Sequence, residues 1–185
     1  TPSIMSGETV SACLREASPD AVNPTTWIYS ELVRKLGLNK MLERRVDELS
    51  GGELQKLAVA TTLAREADLY LLDEPSAYLD IEERIAVARV IRRLIEERRK
   101  TAFIVEHDLM MLNYICDKVM VFTGKPGVYG AATQPLDNKT GFNELLRELE
   151  ITVRKDPQTG RPRVNKLGSY LDREQKNAGN YYAVD

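Results

Sequence analysis

The sequence predicts an α/β chain, a helical first third that runs into a parallel sheet. Three observations carry this. Up to about residue 65, apolar residues recur at helical spacing between capping and turn signals. Two short apolar runs follow, residues 69–72 and 101–105, and each stops abruptly on acids: Asp73-Glu74-Pro75 after the first, Glu106-His107-Asp108 after the second. Between them lies one long amphipathic pattern, residues 81–99. That rhythm of strand, helix and strand implies βαβ units with right-handed crossovers in a parallel sheet.

Composition bounds the function classes. The 185 residues suffice for one domain with a real core. A hydrophobic content of 43% with 29% charged residues is ordinary for a globular protein, and a net charge of −2 gives no global nucleic-acid signature. No apolar run is long enough to cross a membrane and no signal-peptide layout opens the chain, so a membrane partner is not expected and a cytoplasmic location is. The two cysteines, Cys13 and Cys116, have no metal-ligand spacing and read as buried thiols. His107 is the only histidine, which excludes a multi-histidine metal site. Asn138-Lys139-Thr140 matches a glycosylation sequon and reads as chance.

Taken in order, Ser6 and Thr9 ahead of Val10, Ala12, Cys13 and Leu14 predict a short helix over about residues 7–16. Turns follow at 18–20 and 23–25. Trp27, Ile28, Leu32, Val33 and Leu36 make a second helix, closed by Gly37. The stretch Leu49-Ser50-Gly51-Gly52-Glu53-Leu54-Gln55 organises what comes next. Ser50 and Glu53 have capping-box spacing, and Leu54, Leu57, Ala58 and Thr61 form one helical face. A bare helix N-terminus offers unpaired N–H groups and partial positive charge, which suits phosphate, and glycines let a large anion approach. An ordinary capped helix would show the same spacing.

The run at 67–75 reads as a buried strand, ended by Pro75. The long helix is expected to turn Ile85, Ala88, Ile91 and Ile95 inward and its arginines and glutamates to solvent. Residues 101–105 form a second strand, 109–116 a short helix, 118–123 and 127–132 further strands, and Asp137 or Asn138 starts a helix reaching Leu149. Residues 154–176 hold seven Lys or Arg against three acids, with Pro157, Gly160 and Pro162 breaking any regular element. This tail reads either as a flexible terminus or as a docking strap for its own domain or for RNA.

The chemistry gathers at strand ends. Ligands of open α/β sheets bind at the carboxyl edge of the strands, where Asp73, Glu74 and His107 stand. A strand-end Asp is what P-loop nucleotidases use near Mg2+, and an adjacent Glu can polarise water. Asp80 could be a simple helix cap. His107 could equally be a satisfied structural residue.

Together these residues resemble the ATP-binding cassette (ABC) ATPases, a P-loop NTPase-like fold. Residues 49–55 look like the signature loop and 69–73 like the Walker B strand. Glu74 looks like the catalytic glutamate, Ser76-Ala77-Tyr78-Leu79-Asp80 like the D-loop, and His107 like the switch histidine. Glu106-His107-Asp108, Arg161-Pro162-Arg163-Val164-Asn165-Lys166, Leu171-Asp172-Arg173-Glu174-Gln175-Lys176 and Gly179-Asn180-Tyr181-Tyr182 narrow the resemblance to the second nucleotide-binding domain of the RNase L inhibitor family. Those are soluble twin-cassette ATPases that split ribosomes into subunits after termination.

The resemblance implies the following roles. Ser50, Gly51, Gly52 and Glu53 would face, in trans, an ATP held by the other nucleotide-binding domain. Glu74 and His107 would be catalytic at the opposite site, Asp73 would hold Mg2+ through water, and Ser76 and Asp80 belong to the D-loop. Arg161, Arg163 and Arg173 would serve a hinge and a ribosome contact. Implied partners are the other cassette, the small ribosomal subunit with its rRNA, and a release-factor-like recycling partner. Implied cofactors are ATP and Mg2+, with iron–sulfur clusters only in an N-terminal part of the family that has no counterpart here.

One departure matters. No Gly-x-x-x-x-Gly-Lys-Ser/Thr occurs, and Gly124-Lys125 is followed by Pro126. The chain is therefore expected to be a cassette fragment with its P-loop half missing, cut within the second cassette. Its expected parts are a helical subdomain at 1–66, a Walker B, D-loop and switch-histidine part at 67–150, and a basic hinge at 151–185. Two alternatives stay open: a transporter-type or repair-type cassette, and a truncated binding module without catalysis.

Overall fold

The computed structural model describes residues 7–160 and 162–184, and its helices start where a side chain can satisfy bare backbone donors. The chain divides after Ile115 into two compact units. In the second of them, residues 138–148 pack with the tail.

In the first unit, α1 (Val10–Ala17) is capped by Thr9, whose hydroxyl accepts from the Ala12 N–H at 3.2 Å. The helix thus starts later than the spacing predicted, and the Ser6 part of that expectation lies outside the described residues. Residues 29–34 wind as a wide π-type turn, with Gly37 left-handed at φ 73 behind it. α2 (Gly51–Ala64) carries the predicted capping box. The Ser50 hydroxyl accepts from the Glu53 N–H at 3.3 Å, and the Ser50 N–H donates to the Glu53 carboxylate at 2.8 Å. The predicted apolar face is only half right. Leu57 and Thr61 are buried, but Ala58 is exposed while Val59, Ala60 and Leu63 are buried, because α2 packs on several sides, against α1 and the 29–34 turn among them.

β1 (Leu69–Asp73) pairs in parallel with β2 (Thr101–Val105), register Leu69 with Thr101 through Asp73 with Val105, and α3 (Ile81–Arg98) crosses between them. The parallel pair is as predicted, but its burial is not. Tyr70 and Leu72 are inside, whereas Leu69, Leu71, Phe103 and Val105 are 46–68% exposed. The uninterrupted apolar run therefore has one bare face. α3 buries part of the side expected and more besides: Ala88 and Ile91 are in the core with Val87, Val90 and Leu94, and Ile85 is 40% exposed. α4 (Leu109–Ile115) closes the unit.

The second unit is not the continuation of a parallel sheet that the rhythm implied. β3 (Lys118–Val119) and β4 (Phe122–Lys125) precede β5 (Tyr129–Ala132) and β6 (Leu136–Asp137). β3 pairs antiparallel with β6, and β4 with β5 as a hairpin. Gly124 makes the hairpin possible: at φ 151, a Cβ there would lie 2.3 Å from the Tyr129 carbonyl oxygen. α5 (Asn138–Glu148) starts at Asp137, whose carboxylate accepts from the Thr140 N–H at 3.0 Å. Asn138 donates to the Cys116 carbonyl at 2.7 Å, so the sequon's amide is part of the fold.

The tail is built, not irregular. β7 (Val153–Lys155) sits between antiparallel β8 (Pro162–Val164) and parallel β9 (Tyr182–Ala183), with α6 (Tyr170–Asn177) between the latter two in sequence. Pro162 opens an edge strand, where its missing N–H costs nothing. Buried Phe142 of α5 meets Tyr182 with ring centroids 5.1 Å apart. This contact and the Asn143 side chain, which accepts the Tyr181 N–H at 2.6 Å, fold the tail onto α5.

Candidate nucleotide site

The sheet delivers its carboxyl ends to one place. The Glu74 N–H donates to the Val105 carbonyl at 2.8 Å, which extends the ladder one residue past β1. Glu74 itself is left-handed, φ 44, as is Tyr78, φ 62. Between them a tight turn forms, with the Ala77 N–H on the Glu74 carbonyl at 3.0 Å and the Leu79 N–H on the Ser76 carbonyl at 3.3 Å. A non-glycine residue in this region is uncommon and is held there by its surroundings.

His107 Nε2 lies 3.0 Å from Glu74 Oε1, with both side chains at least half exposed. The two residues predicted to share the strand edge are therefore together. Asp73 occupies the exposed end of β1 beside Val105. Ser76 is 3% exposed and its hydroxyl donates to Glu106 at 2.7 Å. The other Glu106 oxygen accepts the N–H groups of His107 at 2.9 Å and Asp108 at 3.3 Å. Glu106 thus joins the 74–80 loop to the backbone of His107, a role that its position as a strand-ending acid did not reveal. Asp80 accepts from the Glu83 N–H at 2.9 Å and so caps α3, the simpler of its two readings. Arg84 binds Asp108 at 2.9 Å and the Leu79 carbonyl at 2.9 Å.

The N-terminus of α2 abuts the same loop. A Cβ on Gly52 would approach the Tyr78 carbonyl oxygen to 3.1 Å, and one on Gly51 would touch the Tyr78 ring at 3.6 Å. The glycines thus admit the loop. Gln55 Nε2 donates to the Glu74 carbonyl at 2.9 Å, and Lys56 binds Glu83 at 2.5 Å. The Glu53 carboxyl is held below its usual range, chiefly by the Ser50 N–H and then by Arg44. Ser50 and Gly51 are exposed.

Among the described residues no cluster of three or more His, Cys, Asp or Glu could hold a metal ion. The donor set fits one carboxylate of a Mg2+ shell, Asp73, completed from elsewhere. It offers phosphate the α2 N-terminus, without a P-loop lysine.

In the second unit, Arg163 pairs with Asp156 at 3.1 Å, and Arg173 is exposed on α6. Arg161 lies outside the described residues. Arg154, Arg163, Lys166, Ser169 and Tyr170 line a cavity of about 460 Å³.

A glycine-led helix N-terminus, a parallel strand ending in Asp-Glu and a histidine on that Glu define the class, a segment of an ABC-type nucleotide-binding cassette. The family described as ABC transporter matches residues 6–77. An ABC transporter ATP-binding protein of Methanocaldococcus jannaschii, MJ0719, is 50% identical over 87% of this chain and 27% of its own length. Translation initiation factor RLI1 of Chaetomium thermophilum is 49% identical over 84% of this chain and 26% of its own length. Among solved structures, RNase-L Inhibitor superposes with a TM-score of 0.84 at 51% identity, over 96% of this chain and 34% of that one. A model of ribosome-bound archaeal Pelota and ABCE1 superposes with a TM-score of 0.88 at 49% identity, over 95% of this chain and 29% of that one. The chain belongs to the RNase L inhibitor family of ABC ATPases. It spans about a quarter of the length of the curated relatives it matches.

Proposed function

We propose that this chain is the signature-loop and Walker B portion of a ribosome-associated ABC ATPase that couples ATP binding and hydrolysis to separating ribosomal subunits. The observation that carries the reading is His107 Nε2 at 3.0 Å from Glu74 at the end of the parallel pair, beside Asp73. The α2 N-terminus, with Ser50, Gly51 and Gly52, receives the γ-phosphate of an ATP held by another cassette. Its free N–H groups and the Ser50 hydroxyl supply the donors. Glu74 accepts a hydrogen bond from the attacking water, and His107 orients Glu74 and donates toward phosphate. Asp73 would hold Mg2+ through water. Bound Mg2+ would neutralise charge developing on the phosphoryl oxygens.

In the complete protein, Glu74→Gln is expected to lower ATP turnover by roughly 10²- to 10⁴-fold while nucleotide binding persists. Single-turnover hydrolysis at the wild-type rate would refute the reading. The 185-residue chain alone, without a P-loop lysine, is expected to hydrolyse ATP at background.

The ribosome part of the proposal rests on the ribosome-bound relative and on the basic cavity of the second unit. Arg161, Arg163 and Arg173 would meet rRNA phosphates, so binding should weaken with salt. Neutralising the three should flatten that salt dependence. An unchanged slope would remove these residues from the contact.

A further inference from the structure

Resting on the reading of Glu74 as the water-polarising group, we infer that Gln55 is its positioning residue, and that through Gln55 the phosphate-facing start of α2 is tied to the carboxylate of the opposite site. Glu74 has to be held in an unfavourable backbone conformation, φ 44. Two of its backbone bonds are local to the sheet and turn: its N–H to the Val105 carbonyl at 2.8 Å, and its carbonyl from the Ala77 N–H at 3.0 Å. The third comes from 19 residues away, where Gln55 Nε2 donates to the same carbonyl at 2.9 Å. A carbonyl has two lone pairs, and these two donors use both. The peptide plane that follows Glu74 is thus fixed by one group in its own turn and one group on α2.

Gln55 stands one helical turn beyond Gly51, so a tilt of the N-terminus of α2 is transmitted to its side chain. Two further contacts fasten the same elements together. Lys56 binds Glu83 at 2.5 Å, and Gly52 packs so closely on the Tyr78 carbonyl oxygen that a Cβ would stand 3.1 Å from it. The loop from Glu74 to Glu83 and the first turns of α2 therefore move as one body. Only Gln55 among these ties ends on the residue whose carboxylate meets His107. Engagement of phosphate at α2 then biases where the Glu74 carboxylate points at the other ATP, a cis link between two sites that each lack half their parts in this chain.

The test uses the complete protein and three substitutions: Gln55→Ala; Gln55→Glu, which keeps the length but removes the donor; and Gln55→Lys, which restores a donor. Ala and Glu are expected to lower kcat roughly 10- to 100-fold, the size of a misplaced catalytic group. The KM for ATP should hold within about twofold, and Lys should recover part of the loss. Without nucleotide, amide exchange across residues 74–79 should quicken in Ala and Glu, while α2 beyond residue 57 keeps its protection. Glu74→Gln runs alongside. If it turns over at the wild-type rate, the reading of Glu74 fails. If it is inactive while Gln55→Ala keeps wild-type kcat and exchange, or while kcat falls with a general loss of protection along α2, the positioning role alone is overturned.

Discussion

Glu74, in the turn after β1, and Asp172, in the first turn of α6, are both carboxylates, yet their surroundings are opposite. Glu74 is half exposed and its carboxylate meets one side chain, His107, at 3.0 Å. Asp172 is 4% exposed at its side chain and takes the Thr152 hydroxyl at 2.7 Å, the Gly168 N–H at 2.9 Å and Lys176 at 3.2 Å. Thr152 also accepts from Asn165, which reaches Gln175 in turn. The first unit leaves Glu74 at an open edge with valences to spare. The second closes its acid into a saturated network, as a buried charge requires. A carboxylate that must receive water or a metal shell needs free lone pairs. One that holds a helix against a strand needs none.

The same contrast runs through the apolar residues, and two phenylalanines give the largest test of it. Phe142 is fully buried on α5, whereas Phe103 on β2 is 53% exposed. Phe142→Ala should cost about 3–5 kcal/mol, the transfer and cavity terms together. Phe103→Ala, with no comparable cavity to leave, should stay within about 0.5 kcal/mol. Denaturant midpoints of the two variants of this chain check it. A Phe103 loss near that of Phe142 would break the comparison, because the sheet face would then be packed. In the complete protein a larger Phe103 effect is expected, if a further layer covers that face.

A smaller effect tests the saturated network. Thr152→Val should cost about 1–3 kcal/mol, because it strips a buried partner from both Asp172 and Asn165. If it proves neutral, the network is looser than its distances and the comparison loses one side.

What was legible in the sequence follows from how far each interaction reaches. The α2 capping box joins residues three apart, and the β1 and β2 runs each carry their own pattern, so these were readable. Glu74, His107 and Asp73 were readable because a parallel strand brings its carboxyl end to one edge. The fold of the tail was not. Asp172 meets Thr152 across 20 residues and Asn165 meets it across 13. No periodicity encodes such pairs, and Pro157, Gly160 and Pro162 looked like breaks instead of the turn and edge strand they form. The Gln55 bond to the Glu74 carbonyl spans 19 residues and was equally hidden. The side that α3 buries was read only in part, for another reason: Ala88 and Ile91 go inward as the period predicts, but Ile85 is left out and Val87, Val90 and Leu94 join them instead. The antiparallel pairing of β3 to β6 depends on tertiary pairing that a strand–helix rhythm cannot distinguish from a parallel sheet.

The smallest expected effect concerns an acid that combines both situations. Asp156 begins the turn between β7 and β8 and is held down to about 2 from its usual 3.8, first by the Thr159 and Gln158 N–H groups and then by Arg163. A carboxyl whose folded value lies below its unfolded value stabilises the fold fully above the unfolded value. That contribution disappears as pH falls through the folded one. For Asp156 the window runs from 3.8 down to about 2. Asp156→Asn keeps an oxygen for the two N–H groups but loses the charge that meets Arg163, which is 64% exposed at its side chain and so screened by water. The wild type should therefore be modestly more stable than the variant at neutral pH, and the two stability curves should converge as pH falls through that window. Added salt should narrow the gap at neutral pH. Curves that stay parallel down to the lower end of the window would show that the Asp156 carboxyl is not held below its unfolded value. A gap at neutral pH that converges as expected but that salt leaves unchanged would show that the two N–H groups alone hold the carboxylate. The Arg163 guanidinium would then be free for an outside phosphate.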